Sequence, residues 1–218
     1  VNFLQLCQQL AHEAGVNGTG PTTVVSQDGS LESGRIVNWV NQSWLDIQAK
    51  RNWSWMWSNA QVTIPLGLNV IAGALAPARY DKESAYFNDG STSWRNLCYM
   101  AWDEFRTAYR TLNSQNGVTT WTVRPDLALV FNATVSAATA VDIERYTNPT
   151  RMTVDADTPG MPEHLHELII WHALIHYADF DEAGVQRQTA VVKHDRLWAD
   201  LLKCCLPQMR MGGPLGDE

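Results

Sequence analysis

Positive charge is in short supply in this 218-residue chain: 16 Lys and Arg stand against 23 Asp and Glu, for a formal net charge of −7. Tight binding to a nucleic-acid backbone needs clustered Lys and Arg. The densest basic stretch, Lys193, His194 and Arg196, is interrupted by Asp195 and followed by Asp200, so a duplex-binding role is not expected. Cysteine is scarce too. Cys7, Cys98, Cys204 and Cys205 lack the spacing of a metal signature, and the adjacent Cys204-Cys205 pair is poorly placed to put two thiols on one tetrahedral ion. They read as free thiols, mostly buried, in a protein made in a reducing compartment. The longest apolar stretches contain Gly or His and fall short of a membrane span. Val1-Asn2-Phe3-Leu4-Gln5 has no basic segment ahead of an apolar run, so no export signal is expected either.

Catalytic signatures are equally thin. No Gly-x-Ser-x-Gly element is present, and Gly18-Thr19-Gly20 is not followed by Gly-Lys-Ser/Thr. Gly212-Gly213 lies in a tail with no helix after it. Glu32, Asp46, Asp103 and Glu104 fall mostly on polar helix sides, where solvated carboxylates are the default.

What the chain does have is ten tryptophans within a composition that is 45% hydrophobic and only 18% charged. Its length suffices for one large core, or for a helical body with a smaller attached unit. Large indoles suit cores and permanent contacts with other chains.

Apolar spacing predicts a helix from Asn2 to Ala14, closed at Gly15, and a second capped by Ser30. The second carries Ile36, Val37, Val40, Trp44 and Ile47 on one side, leaves Trp39 outside the stripe, and ends near Lys50 or Arg51. Trp53-Ser54-Trp55-Met56-Trp57 alternates like a strand and equally suits the apolar end of the preceding helix. Gln61 to Ile64 reads as a strand ended by Pro65 and Gly67. Leu68 to Asp81 reads as loop with a short strand near Asn69 to Ile71. Thr92 or Ser93 is expected to cap a third helix bearing Trp94, Leu97, Cys98, Ala101, Trp102, Phe105 and Tyr109. Thr119 to Arg124 and Leu127 to Phe131 form a hairpin around Pro125-Asp126, and Thr139 to Tyr146 is a further strand. A connector over 147–162 leads to a helix from Pro162, a bend after Asp179, and a last helix marked by Val185, Val192, Leu197, Leu201 and Leu202. The expected class is α+β: mainly a helical bundle of about four helices, with a small antiparallel β-sheet or hairpin insertion. Residues 1–206 are expected to make a single domain and 207–218 a C-terminal arm. The helical body falls on 1–57, 92–112 and 163–206, and the β-rich segments on 61–72 and 119–147.

Three stretches carry a resemblance. One is Phe3-Leu4-Gln5-Leu6-Cys7-Gln8-Gln9-Leu10 through Glu13-Ala14-Gly15-Val16, with Gly18-Thr19-Gly20-Pro21. The second is Arg35-Ile36-Val37-Asn38-Trp39-Val40-Asn41-Gln42-Ser43-Trp44-Leu45-Asp46-Ile47-Gln48. The third is Asp155-Ala156-Asp157-Thr158-Pro159-Gly160-Met161-Pro162 with the helix Leu168 to Asp181. Their order along nearly the whole chain resembles the adaptor, or head-to-tail connector, proteins of tailed bacteriophages. The resemblance departs from the family's pattern at Leu66 to Ala78 and Asn132 to Ala138, where strand and turn signals are weak. It implies a structural, non-enzymatic virion protein of the neck, made in the host cytoplasm. Such a protein forms a homo-oligomeric ring, usually a dodecamer, between the portal and the tail or nozzle proteins. Double-stranded DNA passes through its acidic channel without specific binding, and neither membrane nor cofactor is involved. The C-terminal arm would dock on the portal through Pro207, Met209, Arg210, Met211 and Leu215.

Trp39, Trp53, Trp55 and Trp57 are the expected subunit contacts, because base stacking would need more positive charge than Lys50 and Arg51 supply. Arg35, Arg51, Arg106 and Arg110 are charged residues available for contacts between subunits, with solvated surface as their default. One alternative remains. His164, His166, His172 and His176 are grouped, and His172 and His176 share a helix face as two metal-binding imidazoles would. A metal-dependent hydrolase would use His166, His172 and His176. However, His166-Glu167 is followed by Ile170 where a zinc-protease motif needs His. Packed histidines and no metal are therefore the expectation.

Overall fold

The computed structural model describes residues 1–16, 20–25, 31–71, 78–88, 94–109 and 117–206. They fall into two compact units, one of Val1–Met56 with Pro149–Glu218 and one of Trp57–Asn148. The proposed arm, 207–218, lies outside the described residues.

The first unit is helical. Asn2 starts α1 (Phe3–Glu13) with a capping box: its side chain accepts from Gln5 N at 2.9 Å, and the Gln5 side chain accepts from Asn2 N at 2.9 Å. Two further N–H groups of the first turn find partners in a distant segment, Phe3 N on Asp157 O at 2.7 Å and Leu4 N on Asp155 O at 3.3 Å. The N-cap of α2 (Glu32–Lys50) is Leu31, without a side-chain cap; the expected cap, Ser30, lies outside the described residues. After a single 3-10 turn at Glu163–Leu165 comes α4 (Glu167–Phe180); α3 belongs to the other unit. Leu168, Ile169, Ile170, Trp171, Ala173, Leu174, Tyr177 and Ala178 bury most sides of α4. A helix apolar nearly all round must be central, and α1, α2 and α5 (Gly184–Cys205) all pack on it. The bend between α4 and α5 places Glu182 in the left-handed region, with φ of 54°.

Residues 147–162 are an ordered connector, held by side-chain amides of α2. Asn41 donates to Met152 O at 3.1 Å and accepts from Met152 N at 3.0 Å. Two turns on, Gln48 donates to Thr150 O at 3.0 Å and accepts from Thr150 N at 3.1 Å. Each amide thus does for an extended segment what a neighbouring strand would do.

The second unit contains β1 (Trp57–Ile64), β2 (Val70–Ile71), β3 (Ala78–Tyr80), β4 (Tyr86–Asn88), β5 (Trp94–Asn96), β6 (Cys98–Tyr99), α3 (Trp102–Ala108), β7 (Thr120–Val123), β8 (Leu129–Phe131) and β9 (Thr139–Thr147). One sheet runs β1-β9-β4-β5, with β3 also on β9; the other runs β2-β8-β7-β6. Alternation in β9 turns Val141 and Ile143 inward, where they join Val62, Ile64, Phe87, Leu97, Trp121, Leu129 and Phe131. Asn132, 1% exposed, ties the second sheet: its Oδ1 accepts from Thr119 N at 2.9 Å and Thr120 N at 3.0 Å.

The class is α+β as expected, with five α-helices and two sheets among the described residues. Three expectations need correction. The third helix, assigned from Thr92 or Ser93 (both outside the described residues), is absent over its first half. Trp94–Asn96 pairs with β4, Leu97 N bonds Ala85 O at 2.8 Å, and Cys98–Tyr99 pairs with β7. The spacing of Trp94, Leu97, Cys98 and Ala101 suits a helix, but open strand edges and a core site for Leu97 outweigh it. Only Trp102–Ala108 is helical, burying Phe105. Second, β6 and β7 run parallel, so the sheets are not purely antiparallel. Third, the cysteines divide evenly: Cys7 and Cys205 are buried, Cys98 and Cys204 exposed.

Candidate functional site

Two features concentrate side chains of functional interest: a histidine cluster in the helical unit and a set of exposed aromatic and aliphatic side chains on both units.

In the cluster, α4 carries His172 and His176 one turn apart, and Asp46 comes from α2. Asp46 Oδ2 lies 3.9 Å from His172 Nε2 and 3.9 Å from His176 Nε2. Asp46 Oδ1 accepts from Gln42 Nε2 at 2.8 Å. From α5, His194 Nε2 stands 3.2 Å from His172 Nδ1, and His194 Nδ1 lies 3.0 Å from Asp195 Oδ1. Burial, with His194 and His176 adding to it, pushes the His172 pKa down to about 4, so this imidazole is neutral at pH 7.

The set His166, His172 and His176 is not assembled. His166 is buried at the start of α4 with Nε2 3.0 Å from Met161 O, and His164 is exposed. Asp46 takes the third position instead. Nothing in the sequence marked it, because a carboxylate on the polar side of one helix carries no sign of which helix it will face.

The tryptophans separate sharply. Trp53 is 0% exposed, stacked on Trp55 with centroids 5.0 Å apart, edge-on to Trp198 at 5.6 Å, and bonded through Nε1 to Ile47 O at 2.6 Å. It is a core residue, which corrects its assignment as a subunit contact: all its surface is already covered from within the chain. Trp55 is partly buried, close to the Gly160 backbone. Trp39 is partly buried, edge-on to Tyr177 at 5.6 Å and tilted against the exposed Phe180 at 5.7 Å. Arg35 lies 4.8 Å over the Phe180 ring.

Trp57 is 46% exposed, with Nε1 donating to Glu144 Oε2 at 3.1 Å. By register, Tyr86 and Trp94 stand on the same face of the first sheet, the one on which β9 shows Asp142 and Glu144. The helical spacing around Trp94 hid it from the sequence, and Tyr86 sits in a strand of three residues, too short to show alternation. On the helical unit, Phe180, Val185 and Val192 are exposed. Of the arginines, Arg106 pairs with Asp103 at 3.8 Å in the open, Arg51 is exposed, and Arg110 lies outside the described residues.

Trp57, Tyr86 and Trp94 on the first sheet and Phe180, Val185 and Val192 on the helical unit are apolar surface of the kind that contacts between chains can cover. The model of the SU10 adaptor protein family matches residues 1–204, and the chain belongs to that family. It is therefore a structural, ring-forming connector protein of the tailed-phage virion, meeting other structural components of the particle. Membership overturns the alternative of a metal-dependent hydrolase built on His166, His172 and His176. None of the curated proteins compared with the chain matches it. Among the described residues no helix is long and apolar enough to cross a membrane.

Proposed function

We propose that twelve copies of this chain close into a ring in the phage neck, between the portal and the tail or nozzle proteins. The ring extends the channel through which double-stranded DNA leaves and enters the head. The match of an adaptor family along residues 1–204 is the observation that carries this reading. Cyclic closure supports it, because a ring satisfies every head-to-tail surface without leaving an open end. The formal charge of −7 suits a wall past which DNA slides without sticking.

In this arrangement residues 1–206 act as one adaptor domain. The helices line the ring wall, and the sheets face outward or toward the tail. Trp39, Trp55 and Trp57 are the tryptophans with surface left to cover, and Trp94 and Tyr86 join them on the sheet. Pro207, Met209, Arg210, Met211 and Leu215 form the arm that docks on the portal. The chain is made in the host cytoplasm and ends in the virion.

A side-chain reconstruction of the neck tests the whole proposal. The expected result is twelve subunits directly below the portal, with residues 207–218 on the portal surface. Finding the chain elsewhere in the particle, or in contact with neither portal nor tail, would overturn it.

A further inference from the structure

We infer that Asp46, His172 and His176 form a binding site for one divalent ion of the zinc class, fastening α2 to α4. A carboxylate only accepts, so the His194 Nδ1 that lies 3.0 Å from Asp195 Oδ1 carries the hydrogen. In neutral His194, Nε2 is then an acceptor, and the His172 Nδ1 at 3.2 Å must donate to it. That leaves His172 Nε2 with a bare lone pair, and it faces Asp46 Oδ2 at 3.9 Å. Two acceptors confront each other with no hydrogen between them. His176 Nε2 adds a third polar atom, buried and without a hydrogen-bond partner, 3.9 Å from the same oxygen. Such a convergence attracts a cation.

The supporting shell is in place as well. Metal-bound imidazoles regularly donate their other N–H to a partner that fixes the tautomer; here Asp195 and His194 do this for His172. Gln42 holds Asp46 Oδ1 at 2.8 Å, which turns Oδ2 toward the imidazoles. The three ligating atoms all lie within 4.8 Å of one another. Ligands on a tetrahedral zinc stand about 3.3 Å apart, so the carboxylate must close on each imidazole by roughly 0.6 Å, and the two imidazoles, within 4.8 Å of each other, by up to about 1.5 Å. Asp46 and His176 have side chains 35% and 37% exposed, which gives them room to turn. Two imidazoles with one carboxylate favour zinc, cobalt or nickel over magnesium or calcium. The ion would join α2 to α4, and through His194 engage α5, making a structural clasp in the helical unit. No hydrolytic role is implied.

The test uses the full-length chain without a histidine tag, dialysed against chelator and then titrated with zinc and, separately, with cobalt. The expected result is one equivalent bound and an unfolding temperature raised by about 5–10 °C at a hundredfold excess over Kd. Asp46→Asn and His176→Gln, both at half-exposed positions, should each weaken binding at least about tenfold with helical circular dichroism unchanged. The cobalt complex should show a ligand-field spectrum without thiolate charge transfer. Absence of uptake of either ion would overturn the inference. So would binding that survives both variants and disappears on Cys204→Ser, which would put the ion on the thiols. Because the isolated chain is measured, failure here leaves the ring proposal standing.

Discussion

His172 makes the fold sensitive to acid. Its pKa is 6.5 when unperturbed and about 4 in the folded chain, so below pH 6.5 the unfolded chain takes up the proton first. Stability from this group is complete above pH 6.5 and declines as pH falls toward 4, by up to about 3 kcal/mol in all. Urea unfolding of chelator-treated protein should therefore show a lower midpoint at pH 4.5 than at pH 7. His172→Gln should flatten that difference. Trp53 is the counterpart among the indoles. With no exposed surface and a 2.6 Å bond to Ile47 O, Trp53→Ala should cost about 3–5 kcal/mol, read from the denaturation midpoint. Trp57→Ala, at a position 46% exposed, should cost less than about 1 kcal/mol. Composition disclosed an abundance of tryptophan but not this division, because burial of an indole is decided by the elements around it.

At the scale of elements, the connector 147–162 depends on two amides of α2. Asn41→Ala would leave both Met152 N and Met152 O without partners in a buried setting. The expected loss is about 2–4 kcal/mol, with thermal unfolding as the measurement and Asn41→Gln giving little rescue because its reach is wrong. Gly20 is a second pressure point. Its φ is +76°, and a Cβ there would come within 2.9 Å of Ala11 Cβ on α1. Gly20→Ala should lower stability by about 1–3 kcal/mol. Long elements were legible: α1, α2, α4, α5 and β9 have enough turns or alternations for a period to show, and the β7–β8 hairpin was marked by its Pro125-Asp126 turn. The strands β3 to β6 span two or three residues each, too few for any period. Across Trp94 to Ala101 a helical spacing concealed two short strands, one paired with Tyr86–Asn88 and the other with Thr120–Trp121, pairings that side-chain spacing does not record. Asp46 beside His172 escaped notice for the same reason: the pairing of α2 with α4 is a tertiary fact.

For the whole molecule, the division of exposed surface predicts how assembly and folding come apart. Trp57→Ala combined with Trp94→Ala should leave the unfolding temperature within a few degrees of the parent. Incorporation of the double variant into particles, measured by quantitative mass spectrometry of purified virions, should fall severalfold if those faces meet a neighbour. Normal incorporation would remove the sheet from the proposed interface.

The longest strand pairing has a consequence for how such a chain can diversify. β1 opens the second unit and β9 closes it, and the two run antiparallel from Trp57 opposite Tyr146 to Ile64 opposite Thr139. The polypeptide thus enters and leaves the β unit at adjacent points, and what lies between can grow, shrink or be exchanged while the helical chain keeps its path. A lineage adapting to a new neighbour in the particle could rewrite this module alone and keep the helical unit as it was.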